Sequence, residues 1–103
     1  MNIVGISACA AGIAHTYIAK QKLVDAAEER GHTIHIETQG TVGTEDALTP
    51  EQITDADVAI IASDIQVSGK DRFKGMKVIE VPTDLVIKSP HKLIEKIEQI
   101  VKK

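Results

Sequence analysis

Residues 2–16 read NIVGISACAAGIAHT and join an apolar run to a helical pattern. Its first half is a short, nearly continuous apolar run, which is typical of a central strand of a parallel sheet. Its second half starts a helical pattern that predicts a helix from Gly12 to Arg30, with Gly31 as the stop. The chain's only cysteine, Cys9, stands between the two. We therefore expect Cys9 where a buried strand meets a helix N-terminus.

The same alternation continues to the end of the chain. An edge strand is predicted over 33–37, a short capped helix from Thr49 through Ala56, a central strand over 58–62, a fourth strand over 78–81 and a last helix from Ser89-Pro90. Such alternation predicts an α/β fold: an open, mostly parallel, four-stranded sheet, Rossmann-like, in the order 2-1-3-4, with helices on both faces. With 103 residues, we expect a single domain over 1–103.

The composition of the chain argues against several classes of function. Net charge is −3, and the 12 basic residues are scattered, which argues against nucleic-acid binding. The apolar runs are too short to cross a bilayer, so no direct membrane insertion is expected. A lone cysteine forms no internal disulfide, and no signal peptide is evident, so we expect a cytoplasmic protein. The histidines show no metal-ligand spacing with Cys9, and we expect neither a metal nor a cofactor.

The expected position of Cys9 at a helix N-terminus suggests that its thiol is reactive. Unpaired N–H groups at a helix N-terminus stabilise a thiolate and also suit a phosphate, which together suggest a covalent phosphocysteine. The alternative is a small buried hydrophobe. In open parallel sheets, however, ligands bind beyond the carboxyl ends of the strands where the strand order reverses, which is where Cys9 is expected.

Two segments resemble a known family: CAAGIAHTY at 9–17 and ETQGTVG at 37–43. They are similar to the fructose-family enzyme IIB component of the bacterial sugar phosphotransferase system, whose members typically read C-P-T-G-I-A-H-T and E-x-Q-G-S there. The resemblance covers nearly the whole chain. It implies a transferase: a histidine of a IIA phosphocarrier domain gives its phosphoryl group to Cys9, which passes it to a fructose-like sugar held by a IIC membrane transporter.

The predicted site is the loop and first helical turn. Cys9 is the catalytic nucleophile, and N–H groups with nearby side chains bind the phosphoryl oxygens. The phosphate-binding residues are Ala10, Ala11, Gly12, Ile13, Ala14, His15 and Thr16. Ala10 and Ala11 stand where the family pattern has proline and threonine, which removes a hydroxyl donor and restores one N–H.

Several other polar residues have both a functional and a structural interpretation. His15 either donates to a phosphate oxygen or stabilises the thiolate, or it is a capping or surface histidine. Asp64 is either an acid near the site or a solvated loop residue or turn cap. Arg72 is expected to be a surface charge rather than a site residue, and Tyr17 is expected to pack in the core rather than take part in the chemistry. Gln39 and Gly40 either shape the rim of the site or the partner-docking face, or they simply end a strand.

Two other functions remain open. The spacing from Cys9 to His15-Thr16 is similar to the C-x5-R-[ST] loop of low-molecular-weight tyrosine phosphatases, but histidine replaces the arginine that grips the transition state, which favours relay over hydrolysis. A non-catalytic anion-binding or redox-sensing module would also use an exposed thiol.

Overall fold

The central strand of the sheet is β1 (Asn2–Ala8), buried from Ile3 to Ala8. It pairs in parallel with β2 (Thr33–Gly40) on one side and with β4 (Val58–Ser63) on the other. The computed structural model describes residues 1–8, 13–40 and 43–102. Because the chain leaves β1 for one neighbour and later returns to the other, the strand order reverses at β1.

Within the described residues the sheet has the order β3-β2-β1-β4-β5. Strand β5 (Val78–Val81) pairs in parallel with β4, and the short β3 (Gly43–Glu45) pairs antiparallel with the end of β2. The predicted fold class is therefore confirmed, and the four parallel strands have the predicted order. Strand β3 was not predicted, because its three exposed residues carry no apolar pattern.

Helices cover both faces of the sheet. They are α1 (Ile13–Glu29), α2 (Pro50–Thr54), α3 (Thr83–Lys88) and α4 (Pro90–Lys102), with a 3₁₀ helix at Lys70–Phe73. Helices α1, α3 and α4 pack on one face around Leu23, Val86 and Ile94. Helix α2 and the 3₁₀ helix close the other face. As predicted, Thr49 and Gln52 form a capping box at the start of α2, which ends at Thr54, two residues before the predicted end.

The buried face of α1 does not include Tyr17, which was predicted to pack in the core. Its buried side chains are small apart from one leucine: Thr16, Ala19, Leu23, Ala26 and Ala27. Tyr17 is 39% exposed, and its hydroxyl donates to the carboxylate of Glu45 on β3, so the prediction of core packing for Tyr17 is wrong. Alanines occupy the buried face of α1, and Tyr17 lies outside that face, where its hydroxyl reaches β3.

An ion cluster lies at the amino ends of the parallel strands. Arg30, just beyond α1, donates two hydrogen bonds to Glu98 of α4, at 2.7 and 2.6 Å. His32 contacts the same carboxylate at 2.5 Å, and the N-terminal amine of Met1 lies 3.0 Å from its other ring nitrogen. Arg30 and His32 lower the pKa of Glu98 to about 2.

Candidate functional site

In the sequence, Cys9 directly follows the last residue of β1. Ala8, the last residue of β1, pairs with Gln39 of β2 and Ser63 of β4. The N–H of Asp64 also donates to the Ala8 carbonyl, at 3.3 Å. The last residue of β1, Ala8, therefore lies between the ends of two flanking strands, at the point where the strand order reverses, which is the expected position for a ligand site in this class of fold.

The predicted site residues are only partly within the described residues. Cys9, Ala10, Ala11 and Gly12 lie outside them. The residues 13–15 (Ile13, Ala14 and His15) form the start of α1, and their side chains also lie outside. Thr16 is described and is buried, at 3% exposed. The assignment of these residues to phosphate therefore stays a prediction.

A buried hydrogen bond joins the strand before the Cys9 segment to the helix after it. The hydroxyl of Ser7, which is fully buried in β1, donates to the Thr16 carbonyl in α1 at 2.9 Å. Since Ser7 precedes Cys9 and Thr16 follows His15, the bond fixes the two ends of the segment relative to each other. Sequence patterns did not reveal this role, because Ser7 lies inside an apolar run.

Glu37, on the strand β2 that pairs with β1, is the centre of a buried polar network. It is 1% exposed. One carboxylate oxygen accepts from the Leu48 N–H at 3.1 Å and from Arg72 at 2.9 Å, and the other accepts from Gln39 at 2.8 Å and from Arg72 at 2.9 Å. The edge strand was predicted to expose its polar side chains. Glu37 is buried instead, because the residues that follow β3 and β4 cover that face.

The side chains of Glu37 and Arg72 form an ion pair. Burial alone would raise the pKa of Glu37, but hydrogen bonds from Arg72, Gln39 and Leu48 lower it below its ordinary value. The bond to Glu37 raises the pKa of Arg72. The prediction that Arg72 is a surface charge is wrong: its guanidinium makes a two-point contact with a buried carboxylate and lies 5.6 Å from the centre of the Phe73 ring. The pair is 35 residues apart, and no local signal in the sequence marks it.

Gln39 links strand β2 to the residues after β4. Its amide donates to the Ser68 carbonyl at 2.8 Å and its oxygen accepts from the Ser68 N–H at 2.9 Å. The Gln39 side chain therefore holds a neighbouring loop against the end of the strand. Its role at the rim of the site stays a prediction, because Cys9 to Gly12 lie outside the described residues. Gly40 borders a small crevice with Thr16 and Tyr17.

The same crevice is bordered by a buried hydroxyl. Thr38, at 3% exposed, lines it beside Thr16, and its Oγ1 has no hydrogen-bond partner among the residues that the structure describes.

Asp64 serves as a helix cap. Its two carboxylate oxygens accept hydrogen bonds from the N–H and the hydroxyl of Thr83, the first residue of α3. Of the two interpretations of Asp64, the structure supports the cap, although the capped helix is distant in sequence. Asp64 thus joins the end of β1 to the start of α3.

No helix within 1–8, 13–40 and 43–102 is long and apolar enough to span a bilayer. Those residues also contain no group of histidine, cysteine and acidic side chains arranged to hold a metal ion.

Comparison with known proteins gives a consistent result. The family model described as PTS system, Lactose/Cellobiose specific IIB subunit, matches residues 4–96. The chain is 36% identical over 97 residues to the PTS system fructose-like EIIB component 2 of Escherichia coli (strain K12), covering 94% of this chain and 92% of that protein. It is 44% identical over 95 residues to the PTS system fructose-specific EIIABC component of Bacillus subtilis (strain 168), covering 92% of this chain but 15% of that protein.

Solved structures agree with this result. The solution structure of the Enzyme IIB subunit of the PTS system from Escherichia coli K12 superposes with a TM-score of 0.91 at 33% identity, covering 98% of this chain and 94% of that one. A crystallised domain of the fructose-specific IIABC component from Borrelia burgdorferi gives 0.84 at 40% identity, covering 91% and 89%.

Proposed function

The chain belongs to the family of IIB components of the phosphotransferase system, and from that premise we propose that it carries a phosphoryl group on Cys9 during sugar uptake. The observation that carries the proposal is the position of Cys9 in the chain. It directly follows Ala8, at the carboxyl end of the central strand where the order reverses, and it precedes α1 by four positions. Ligands of open parallel sheets bind at this point.

The first step is capture of the phosphoryl group. The Cys9 thiolate attacks phosphorus on a phosphohistidine of a IIA domain, so an S–P bond forms, the N–P bond breaks and the histidine nitrogen keeps the electron pair. Free N–H groups at the start of α1 would stabilise the charge on the phosphoryl oxygens. Ala10 to Ala14 would supply those N–H groups, and the His15 and Thr16 side chains would add further donors.

The second step is delivery. A sugar hydroxyl attacks phosphorus, the O–P bond forms and the S–P bond breaks. The thiolate is restored, and the hydroxyl proton passes to solvent. We propose a fructose-like acceptor bound by a IIC transporter, because the two relatives are described as fructose-like and fructose-specific. The EIIABC relative joins A, B and C components in one chain, which supports IIA and IIC as the partners. The proposed role implies a cytoplasmic position with transient association with the transporter.

Intact-mass measurement tests the first step. The chain is incubated with phosphoenolpyruvate, the general phosphotransferase proteins and a fructose-class IIA domain, beside the variant Cys9→Ser. The proposal expects one added phosphoryl group on the wild-type chain and none on the variant. An unmodified wild-type chain would contradict it, and turnover of an aryl phosphate would instead favour a phosphatase.

A further inference from the structure

The charged residues are shared unevenly between two parts of the chain. Residues 70–103 hold nine of the 12 basic residues and five of the 15 acidic residues, so their net charge is +4, whereas residues 1–69 carry −7. The later part forms the 3₁₀ helix, the edge strand β5 and the helices α3 and α4. The excess of positive charge therefore belongs to one edge of the sheet and to the last two helices.

Three lysines of α3 and α4 are available to a partner. Lys88, Lys92 and Lys96 follow one another at intervals of four residues, and all three are exposed. Within the part of the chain that the structure describes, none of them makes a hydrogen bond or an ion pair. Leu85 lies one turn before Lys88 in α3 and is 42% exposed. We call these four residues the lysine face.

Both arginines of the chain, by contrast, are engaged within the protein. Arg30 is paired with Glu98 at 2.6 Å, and Arg72 is paired with Glu37 at 2.9 Å. The unpaired positive charge of α3 and α4 is therefore carried by lysine, which presents a hydrated point charge on a flexible stem rather than a rigid planar fork.

The helix α4 runs along the amino ends of the strands. Near its start, His91 lies 2.8 Å from Glu29, the last residue of α1. Near its end, the Ile100 carbonyl accepts from Lys77, which directly precedes β5, at 2.8 Å. Cys9 follows the opposite, carboxyl end of β1. A partner bound along α4 therefore leaves the Cys9 end of the sheet open.

We propose that the lysine face rests on the anionic headgroups of a phospholipid bilayer through a weak, reversible and mainly electrostatic contact. Flexible lysines suit a fluid layer of phosphate groups, and an exposed leucine beside them enters the boundary between headgroups and acyl chains, as in interfacial helices. This contact goes beyond the proposed function, because it needs neither a phosphoryl group nor a transporter.

The net charge of −3 does not prevent this contact. The strands β3 and β5 lie four strand spacings apart, which is about 19 Å. The Debye length is only about 8 Å at physiological ionic strength, so a bilayer interacts mainly with the charges that face it. Acidic residues near the other edge, such as Glu45 and Asp46, are repelled by an anionic surface. The charge distribution thus favours one orientation, with the lysine face towards the lipid.

A nucleic acid is the other common polyanion, and the lysine face suits it less well. Base recognition relies on arginine forks and stacked aromatic rings. Both arginines are already paired, and the two aromatic residues lie elsewhere: Tyr17 contacts Glu45 on β3, and Phe73 is buried. An exposed leucine also gains nothing from a phosphate backbone.

Co-sedimentation with lipid vesicles measures the contact. The chain is expected to bind vesicles of phosphatidylglycerol and phosphatidylcholine at an ionic strength of about 0.01 M, and not vesicles of phosphatidylcholine alone. Binding is expected to disappear near 1 M salt, where the Debye length falls from about 30 Å to about 3 Å. Lys92→Gln is expected to weaken binding about fivefold, the contribution of one lysine near an anionic surface, and Lys88→Gln, Lys92→Gln and Lys96→Gln together about 100-fold.

Lys20→Gln is the matched control. It changes the net charge by the same amount, but Lys20 lies 2.6 Å from Asp46, next to β3 at the other edge of the sheet. This variant is expected to bind as the wild type does. Equal losses for Lys20→Gln and Lys92→Gln would overturn the inference, as would a wild-type chain that does not bind the anionic vesicles at low salt. Binding to a DNA duplex without binding to vesicles would also overturn it.

The orientation is tested separately. Since α4 lies away from the Cys9 end, anionic vesicles are expected to leave the initial rate of phosphoryl transfer from the IIA domain unchanged, and a slower rate would contradict the orientation. A chain that accepts no phosphoryl group would refute the proposed function instead. The vesicle measurement uses the unphosphorylated chain, so it decides the inference in either case.

Discussion

Replacing Glu37 by glutamine is the sharpest test of the buried network. The new amide keeps the shape of the side chain but turns one acceptor into a donor, which then faces Arg72 and Gln39, both donors. Two of four hydrogen bonds are lost, and bonds to charged groups contribute about 1.5–3 kcal/mol each. Because the Arg72 side chain is 30% exposed and can turn to water, we take the lower end, a loss of about 3 kcal/mol.

Urea unfolding near pH 7, followed by circular dichroism, measures this loss. With an m-value of about 1.5 kcal/mol/M, the midpoint of Glu37→Gln falls by about 2 M. The control is Glu80→Gln, which breaks the exposed pair with Lys70 and is expected to cost about 0.5 kcal/mol or less. The pKa of Glu37 is lowered in the folded state, so its contribution is present above the ordinary pKa of 4.5 and is lost as the pH falls through the folded value. A Glu37→Gln variant that is no less stable than Glu80→Gln would contradict the stabilising role of the buried pair.

Three further changes are expected to alter stability in different directions. Gly5→Ala puts a Cβ 2.3 Å from the Ile60 carbonyl oxygen in the middle of the sheet and is expected to cost about 3 kcal/mol; a thermal midpoint equal to that of the wild type would contradict this. Thr38→Val replaces a buried hydroxyl that has no partner among the described residues, and a gain of about 1 kcal/mol is expected in urea; a loss would reveal a bond to that hydroxyl. Glu98→Gln is less stable than the wild type at neutral pH. Since Arg30 and His32 lower the pKa of Glu98 from 4.5 to about 2, melts across the acid range are expected to show the difference fading between these values, and a difference that persists below pH 2 would argue against the ion cluster.

Much of the fold is predictable from local pattern. The apolar run before Cys9 predicts the central strand, and the alternation of elements predicts the parallel order, because right-handed crossovers leave few arrangements. The helix α2 is signalled by its own capping box at Thr49. Helix α3 carries no such signal, since its N-cap is Pro82 and its polar cap is Asp64, nineteen positions earlier.

The candidate site, like the fold, is only partly predictable from the sequence. The position of Cys9 at a strand end follows from the sequence. The Glu37–Arg72 network does not, because its members are joined only by the fold: Glu37 occupies a strand position that alternates with apolar residues and therefore suggests exposure. The prediction of core packing for Tyr17 is wrong for a related reason. Hydropathy favours an aromatic residue as core, whereas the alanines of α1 fill that face.

Discharge of the phosphorylated chain shows directly whether the phosphoryl group passes to a sugar. The isolated adduct is mixed with membranes that contain a fructose-class IIC transporter, with fructose in one arm, lactose or cellobiose in another and no sugar in a third. We expect the adduct to persist without sugar and to disappear with fructose, yielding one sugar phosphate for each phosphoryl group lost. Release of inorganic phosphate at the same rate in every arm would contradict the relay.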